Sequence, residues 1–170
     1  MTRTLAEALR PEFLALTTTV CGCGGGAEVA RILPSVLHHA HQLVLDADAI
    51  NAIATDASLR RALRGRADRG LDTTLTPHPL EAARLLSLTS AAVQADRLLH
   101  AQAIADRLAC QVVLKGSGTV LASPGELPCI NPTGNGSLAT AGTGDVLAGW
   151  LGGRWAAGQP GTERAAALET

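Results

Sequence analysis

Features that would point to nucleic-acid binding, membrane insertion or secretion are scarce in this chain. Charged residues make up 17% of its 170 residues and the net charge is −1, so neither a basic surface for nucleic acid nor a Lys/Arg cluster for a membrane is indicated. No apolar run approaches the roughly 18 residues of a membrane span, and no signal-peptide core opens the sequence. We therefore expect a cytoplasmic protein with no nucleic-acid or membrane partner.

The four cysteines do not form a recognisable metal or disulfide pattern. Cys21 and Cys23 are too close for a relaxed disulfide, and their C-x-C spacing alone is not typical of a zinc site. The other two, Cys110 and Cys129, lie far along the chain. We predict reduced cysteines that act as small apolar side chains, and no set of metal ligands.

The order of predicted elements indicates a single α/β domain over residues 1–170. Short β-branched or apolar runs predict strands at 17–21, 43–45, 72–76, 111–115 and 119–122, the last two as a hairpin. Helical spacing predicts helices at 5–16 with an interruption at Pro11, 29–37 with a break or restart at Pro34, 49–53, 81–88, 90–109 and 143–157. The arginine-rich stretch 60–69 is interpreted as a solvated helix and loop, and 124–136 as a loop. This alternation predicts a mostly parallel sheet with helices on both faces.

Unusual residues follow each predicted parallel strand. Gly22–Gly26 follows the first strand, Asp46 and Asp48 follow the second, and His78 and Lys115 follow the third and fourth. Ligands bind at the carboxyl ends of strands in such sheets, so these residues would meet at one edge. Each also has a plainer explanation, namely a turn for the glycines, an exposed turn for the histidine and a solvated lysine in the hairpin.

Two carboxylates and one amide are candidates for magnesium or hydroxyl contacts. Asp46 and Asp48 are two positions apart, so in extended geometry they would share one face. Such a pair can hold Mg²⁺ through water or contact substrate hydroxyls, unless one of them caps the helix that enters Asn51. Asn135 precedes the last helix and could contact a ligand or a magnesium-bound water, against a plain role in the turn.

The segment Gly142–Asp145 is the strongest candidate for chemistry. It opens the last predicted helix, whose first turn has unpaired N–H groups and a partial positive charge that suit phosphate. Glycines let a ligand approach the backbone, and Asp145 could accept a proton from a hydroxyl held beside the phosphate. The alternative is an aspartate that only stabilises the helix dipole. The pattern suggests phosphoryl chemistry.

Taken together, these segments resemble the ADP/ATP-dependent NAD(P)H-hydrate dehydratase family, a branch of the ribokinase-like superfamily. The matching stretches are VLDADAIN (44–51), TPHPLEAARLL (76–86), VVLKGSGTVLASP (112–124) and NPTGNGSLATAGTGDVLAG (131–149). Gly22–Gly26 lies where the family has its first glycine-rich loop. The resemblance implies a ribokinase-like three-layer sandwich, apparently truncated at both ends, because the family carries further strands before that loop and further helices after Trp155.

The resemblance also implies a role for each matched residue. The adenine nucleotide would contact Lys115, Gly116, Ser117, Gly118, Thr119 and Gly144. The hydrated nicotinamide cofactor would contact Gly24, Gly26, His78 and Asp145, and we add Asp46 and Asn135 to this substrate site from their placement. Asp145 would be the base, and the backbone of Gly142 to Gly144 would form the anion hole.

The implied function is repair of hydrated NADH or NADPH. ADP or ATP, with Mg²⁺, would activate the hydroxyl of the hydrated cofactor, and elimination would restore the reduced form. Cys23 and Gly25 depart from the Pro and Leu that are usual in the first loop. We expect a homo-oligomer, and impaired activity unless another chain supplies the missing strands. Two alternatives remain, a small-molecule kinase of the same fold for a sugar or vitamin precursor, and a non-catalytic nucleotide-binding module.

Overall fold

A computed structural model describes residues 2–158 and gathers six strands into one mixed sheet. The strands are β1 (Thr18–Cys21), β2 (Gln42–Leu45), β3 (Thr73–Leu75), β4 (Gln111–Leu114), β5 (Val120–Ala122) and β6 (Cys129–Ile130). They lie side by side in sequence order. The first four are parallel, and β5 and β6 add to the sheet in antiparallel pairs. The predicted strands are confirmed to within one or two residues, with β6 as an addition inside the predicted loop 124–136.

The helices of the described residues lie mostly between strands, as a parallel sheet requires. They are α1 (Leu5–Ala8), α2 (Pro11–Leu14), α3 (Glu28–His39), α4 (Ala47–Thr55), α5 (Ala57–Ala67), α6 (Pro79–Leu86), α7 (Ser90–Ala95), α8 (Arg97–Leu108) and α9 (Thr143–Ala156). Within residues 2–158, no helix has the length and apolar character needed to cross a bilayer.

Alternating side chains of the strands face two separate apolar clusters. In β2, Leu43 and Leu45 belong to the larger cluster, which α3 to α8 cover. Val44 faces the opposite side and packs with Leu151 and Trp155 of α9. A continuous apolar strand buried on both faces is typical of a parallel sheet with two helical layers. The predicted three-layer arrangement, with helices on both faces, is confirmed.

The helix α3 continues through Pro34, so the predicted break at that residue is wrong. Pro34 lies on the exposed side of α3, where the carbonyl of Ala30 that loses its intrahelical donor can be hydrated. On the other side, Val29, Leu33 and Leu37 are buried and keep the helix on the sheet. Packing of this apolar face outweighs the local cost of the proline.

The single helix predicted over 90–109 is two helices in the structure. Asp96 separates α7 from α8 with non-helical backbone angles (φ −144°, ψ 80°). Its carboxylate accepts a hydrogen bond from the N–H of Leu99 at 3.0 Å and so caps α8. The break makes Arg97 the first residue of α8, which matters for the site described below.

The structure corrects the interpretation of one arginine in the stretch 60–69. Arg66 is 1% exposed, although the sequence predicts a solvated stretch. Its guanidinium donates to the carbonyls of Leu37 and Ala40 at 3.0 and 2.8 Å, and to the hydroxyl of Thr73 at 2.7 Å. Burial lowers the pKa of Arg66 to about 10. This side chain joins the end of α3, the helix α5 and the start of β3.

Replacing Arg66 should therefore weaken the fold strongly. Arg66→Ala leaves several buried carbonyls without a donor, and we expect a loss of about 3 kcal/mol in the free energy of unfolding. The matched control is Arg61→Ala, because Arg61 is exposed on the same helix. Urea unfolding of both variants measures the difference. Similar midpoints for the two variants would contradict the structural role of Arg66.

Candidate active site

The carboxyl ends of the four parallel strands bring the candidate residues to one edge of the sheet. Asp46 follows β2 directly, and Lys115 follows β4. The N–H of Lys115 donates to the carbonyl of Pro77, after β3, at 2.8 Å. The first glycine loop follows β1, and the N–H of Asp46 donates to the carbonyl of Cys21 at 3.1 Å. These segments therefore meet at the carboxyl edge of the sheet, as the order of the strands in the sequence predicts.

An ion pair between Lys115 and Asp46 forms the centre of this edge. Lys115 Nζ lies 2.6 Å from Asp46 Oδ1, and the aspartate is 1% exposed. A carboxylate this deeply buried needs a compensating charge, and Lys115 provides it. Asp46 stands at the N-cap position of α4, but its side chain caps no backbone N–H. Its carboxylate serves the ion pair, a role that the sequence did not predict.

Asp48 takes no part in this ion pair, and the prediction that the two aspartates share one face in extended geometry is wrong. The helix α4 begins between them, at Ala47, whose φ is +45°. This left-handed conformation is unfavourable for alanine and replaces the extended geometry that the prediction assumed. Asp48 Oδ2 accepts a hydrogen bond from the N–H of Gly26 at 2.8 Å. Asp48 thus fixes the first glycine loop.

Gly22 lets the first loop approach the ion pair closely. Its φ is +122°, and a Cβ atom there would collide with the main-chain oxygen of Asp46. The carbonyl of Gly22 accepts from the N–H of Asp48 at 3.3 Å. Gly24 and Gly26 also have positive φ, but open space surrounds them. These two glycines therefore face solvent, where a ligand has room.

The first turn of α9 places unpaired N–H groups beside the ammonium of Lys115. Gly142 is the N-cap residue, and the N–H of Val146 donates to its carbonyl at 3.1 Å. Within residues 2–158, the N–H groups of Gly144 and Asp145 have no main-chain acceptor. A Cβ atom placed on Gly144 would lie 3.3 Å from Lys115 Nζ. A helix N-terminus and an ammonium thus adjoin, which is a favourable environment for phosphate.

Asp145 and Cys23 complete the cluster around Asp46. One ligand atom from each of these three side chains lies within 4.8 Å of the others. Asp145 is exposed, so its carboxylate is on the open side of the cluster. Cys23 Sγ donates to Asp46 Oδ2 at 3.9 Å. Burial, followed by the negative charges of Asp46 and Asp145, raises the pKa of the Cys23 thiol to about 11.

The turn between β4 and β5 is held by an arginine that the sequence analysis missed. Arg97 Nη2 donates to the carbonyls of Leu114 at 3.0 Å and Gly118 at 3.2 Å, on both sides of the turn. Gly116 has φ +144°, and a Cβ atom there would lie 2.6 Å from Arg97 Nη1. The sequence contains one signal for the position of Arg97. Asp96, directly before it, is a residue type that caps helices, so it marks the start of a helix at Arg97. Burial lowers the pKa of Arg97.

Of the predicted nucleotide contacts in this turn, the side chain of Thr119 is engaged locally. Thr119 Oγ1 donates to the carbonyl of Gly116 at 3.1 Å. Ser117 is exposed at the tip of the turn. The N–H of Asn131 donates to the carbonyl of Thr119 at 2.8 Å, which connects the turn to the loop that precedes α9. The turn offers its backbone and the hydroxyl of Ser117 to solvent.

His78 and Asn135 use their side chains to cap short local structures. His78 Nδ1 accepts from the N–H groups of Leu80 and Glu81 at 3.1 and 3.4 Å. The buried carboxylate of Glu81 accepts from the N–H of His78 at 2.8 Å, which completes a capping box for α6. Asn135 Oδ1 accepts from the N–H of Ser137 at 2.9 Å. The His78 ring is half-exposed, and its Nε2 lies 3.4 Å from Glu81 Oε1.

A comparison with protein-family models gives a match over nearly the whole chain. The model that is described as NAD(P)H-hydrate dehydratase matches residues 3–169. The chain belongs to the NAD(P)H-hydrate dehydratase family. Among curated relatives, the ADP-dependent (S)-NAD(P)H-hydrate dehydratase of Neisseria meningitidis is 46% identical over 149 residues. That match covers 86% of this family member and 49% of the relative, so the chain spans about half the length of the relative.

Solved structures support the same fold for this family member. One is an ADP/ATP-dependent NAD(P)H-hydrate dehydratase from Bacillus subtilis that was co-crystallised with ATP/Mg²⁺, with TM-score 0.62 and 29% identity. The match covers 81% of this chain and 46% of that structure. A hydroxyethylthiazole kinase from Pyrococcus horikoshii has TM-score 0.66 and 20% identity over 94% of this chain and 63% of its own. At that identity the second likeness shows the fold alone.

The raised pKa of Cys23 predicts a slow reaction with alkylating reagents at neutral pH. A shift from 9.0 to about 11 lowers the thiolate fraction about a hundredfold, and the thiolate is the reactive form. The rate of modification by iodoacetamide, followed by peptide mass spectrometry, should rise with pH until about 11. In Asp145→Asn, one nearby negative charge is lost, so the rate at pH 8 should increase. A wild-type rate that already levels off near pH 9 would contradict this environment.

Proposed function

We propose that this chain carries the catalytic site for ADP- or ATP-dependent dehydration of hydrated NADH or NADPH. The placement of Asp145 supports the proposal best. It puts a carboxylate on the open side of a cluster, in the same helical turn as Gly144, which adjoins the ammonium of Lys115. A base thus adjoins a site suited to the terminal phosphates of a nucleotide. Family membership supports the same activity.

The proposed reaction couples phosphoryl transfer to elimination. Asp145 takes the proton from the hydroxyl of the hydrated nicotinamide, and the resulting oxygen attacks the terminal phosphorus of the nucleotide. The bond from that phosphorus to the nucleotide breaks, which gives a phosphate ester of the hydrated ring. The lone pair of the ring nitrogen then expels phosphate, and loss of a proton from the adjacent carbon restores the ring double bond. Phosphate is a far better leaving group than hydroxide, which explains why a nucleotide is consumed.

Each of the other residues at this edge has a role in positioning. The N–H groups of Gly144 and Asp145 stabilise the negative charge on the phosphate that is transferred. Lys115 neutralises a neighbouring phosphate oxygen, and Asp46 holds its ammonium in place. The turn Lys115–Thr119 contacts the adenine nucleotide, and Gly24, Gly26 and His78 border the hydrated cofactor. These assignments follow from the resemblance and from the shared location of the segments.

The donor set at this edge suits a magnesium ion that accompanies the nucleotide. Asp145 is exposed, and carboxylate oxygens are the hard ligands that Mg²⁺ prefers, so one oxygen could hold Mg²⁺ while the other accepts the substrate proton. When bound, Mg²⁺ supplies positive charge that neutralises the phosphate oxygens during transfer. Asp46 is less suited to this role because Lys115 already holds one of its oxygens.

The remaining expectations on assembly and location stay predictions. We infer that residues 1–170 form one domain, that the protein is a homo-oligomer and that it is cytoplasmic. The chain spans about half the length of the relative from Neisseria meningitidis. Residues 1–170 alone could therefore bind a nucleotide without catalysing the reaction. Activity should therefore be compared with ADP affinity on the same preparation.

Asp145→Asn should nearly abolish turnover and largely keep nucleotide binding. Loss of a general base lowers rates by about 10² to 10⁴, whereas the N–H groups that bind phosphate remain. The assay follows recovery of the near-ultraviolet absorbance of reduced nicotinamide from hydrated NADH and ADP, and calorimetry measures ADP affinity. The matched control is Asp68→Asn, because Asp68 is an exposed aspartate at the end of α5.

Three outcomes would redirect the assignment. Equal activity of Asp145→Asn and the parent chain would contradict the assignment of Asp145 as the base. Phosphorylation of a vitamin or sugar alcohol, with no recovery of reduced nicotinamide, would favour the kinase alternative. ADP binding without either reaction would favour a nucleotide-binding module.

Lys115→Met should weaken ADP binding at least about tenfold, because a charge-assisted hydrogen bond to phosphate is lost. This change also leaves the buried carboxylate of Asp46 unpaired, so a loss of stability could mimic a loss of binding. The double variant Lys115→Met/Asp46→Asn removes that charge. Calorimetry should show that ADP affinity stays low in the double variant while thermal stability recovers. Recovery of both would mean that the ammonium has a structural role only.

A further inference from the structure

Three separate segments bring one thiol and two carboxylates together at the reaction edge. Cys23 comes from the first glycine loop, Asp46 from the end of β2, and Asp145 from the first turn of α9. One ligand atom of each lies within 4.8 Å of the others. The sequence analysis placed Asp46 and Asp145 in one substrate site, but it predicted no metal ligands and no role for Cys23. A sulfur ligand within a carboxylate cluster is unlike the all-oxygen set that Mg²⁺ prefers.

We propose that Cys23, Asp46 and Asp145 form a binding site for a zinc-like divalent cation, and that this cation inhibits the enzyme. Zinc takes thiolate sulfur at about 2.3 Å and carboxylate oxygen at about 2.0–2.2 Å, with four ligands in tetrahedral geometry. Two such ligands would be about 3.5 Å apart. Cys23 Sγ and Asp46 Oδ2, at 3.9 Å, need only a small adjustment, and the Asp145 carboxylate, within 4.8 Å of both side chains and exposed, would close around the ion. The fourth position stays open to water or phosphate.

The charges around the cluster suit a doubly positive ion. With Cys23 as a thiolate, the three ligands carry three negative charges, and Lys115 contributes one positive charge. A divalent cation brings the sum to zero. Lys115 binds Asp46 Oδ1, which leaves Oδ2, the oxygen nearest Cys23, available for the metal. The ion pair therefore orients the carboxylate for a single bond to the metal.

The inhibitory consequence rests on the proposed function, whereas metal binding does not. A cation on Asp145 occupies the oxygen that would accept the substrate proton, so turnover stops while the site is filled. Gly144 adjoins the cluster, so a phosphate bound at the helix N-terminus would reach the open fourth position. Zinc and nucleotide would therefore influence the binding of each other.

Direct metal binding tests the site without any need for turnover. Calorimetry with Zn²⁺, on protein with reduced thiols, should show one site in the wild-type chain. The affinity should fall more than about tenfold in Cys23→Ser, because a hydroxyl is a poor zinc ligand. The control is Cys129→Ser, which removes another partly exposed thiol outside the cluster and should bind zinc like the wild type. Co²⁺ should give a thiolate charge-transfer band that is absent only in Cys23→Ser.

Each result separates the zinc site from the dehydratase proposal. Equal zinc affinity in Cys23→Ser and wild type, or no binding by the wild type, would overturn the site whether or not the chain is active. If the chain restores reduced nicotinamide, Zn²⁺ should inhibit it and Cys23→Ser should resist that inhibition. Zinc binding at Cys23 without inhibition of an active chain would overturn the inhibitory role alone.

Discussion

The ion pair between Lys115 and Asp46 is the interaction on which the candidate site depends. An ammonium and the N-terminus of α9 would repel each other if nothing lay between them, because both carry positive potential. The buried carboxylate of Asp46 offsets this repulsion and holds Lys115 Nζ next to Gly144. The sheet makes the pair possible, since it places the ends of β2 and β4 at the same edge. The proposed anion site is thus a product of the topology.

The surrounding backbone adapts to this pair at some cost. Ala47 adopts a positive φ directly after Asp46, and Gly22 brings the first loop against the main chain of the same aspartate. Strained conformations of this kind persist where the surrounding structure over-determines them, and they cluster at functional sites. Asp48 adds a hydrogen bond that ties the loop to α4. Loop, strand end and helix start therefore form one rigid support.

The sequence predicted the strands and the meeting edge because those depend on local patterns and on one topological rule. Apolar runs such as Leu43–Leu45 identify strands, and parallel strands share a carboxyl edge. Individual partners were not predictable, since the pairing of Lys115 with Asp46 spans 69 positions and no local pattern encodes it. The same holds for Arg66, whose acceptors include main-chain carbonyls that the sequence does not distinguish. The family resemblance located candidate positions without giving these contacts.

The hydrogen bonds of Arg97 have a consequence for the cost of binding. One nitrogen of this side chain donates to carbonyls on both arms of the turn after β4, so these hydrogen bonds fix the shape of the turn without a ligand. A loop that must be ordered on binding loses conformational entropy, at about 1–2 kcal/mol for each residue that becomes fixed. Here the turn is already ordered in the folded protein, because Arg97 of α8 holds it. If the proposed nucleotide site lies at this edge, its affinity can therefore arise from few direct contacts.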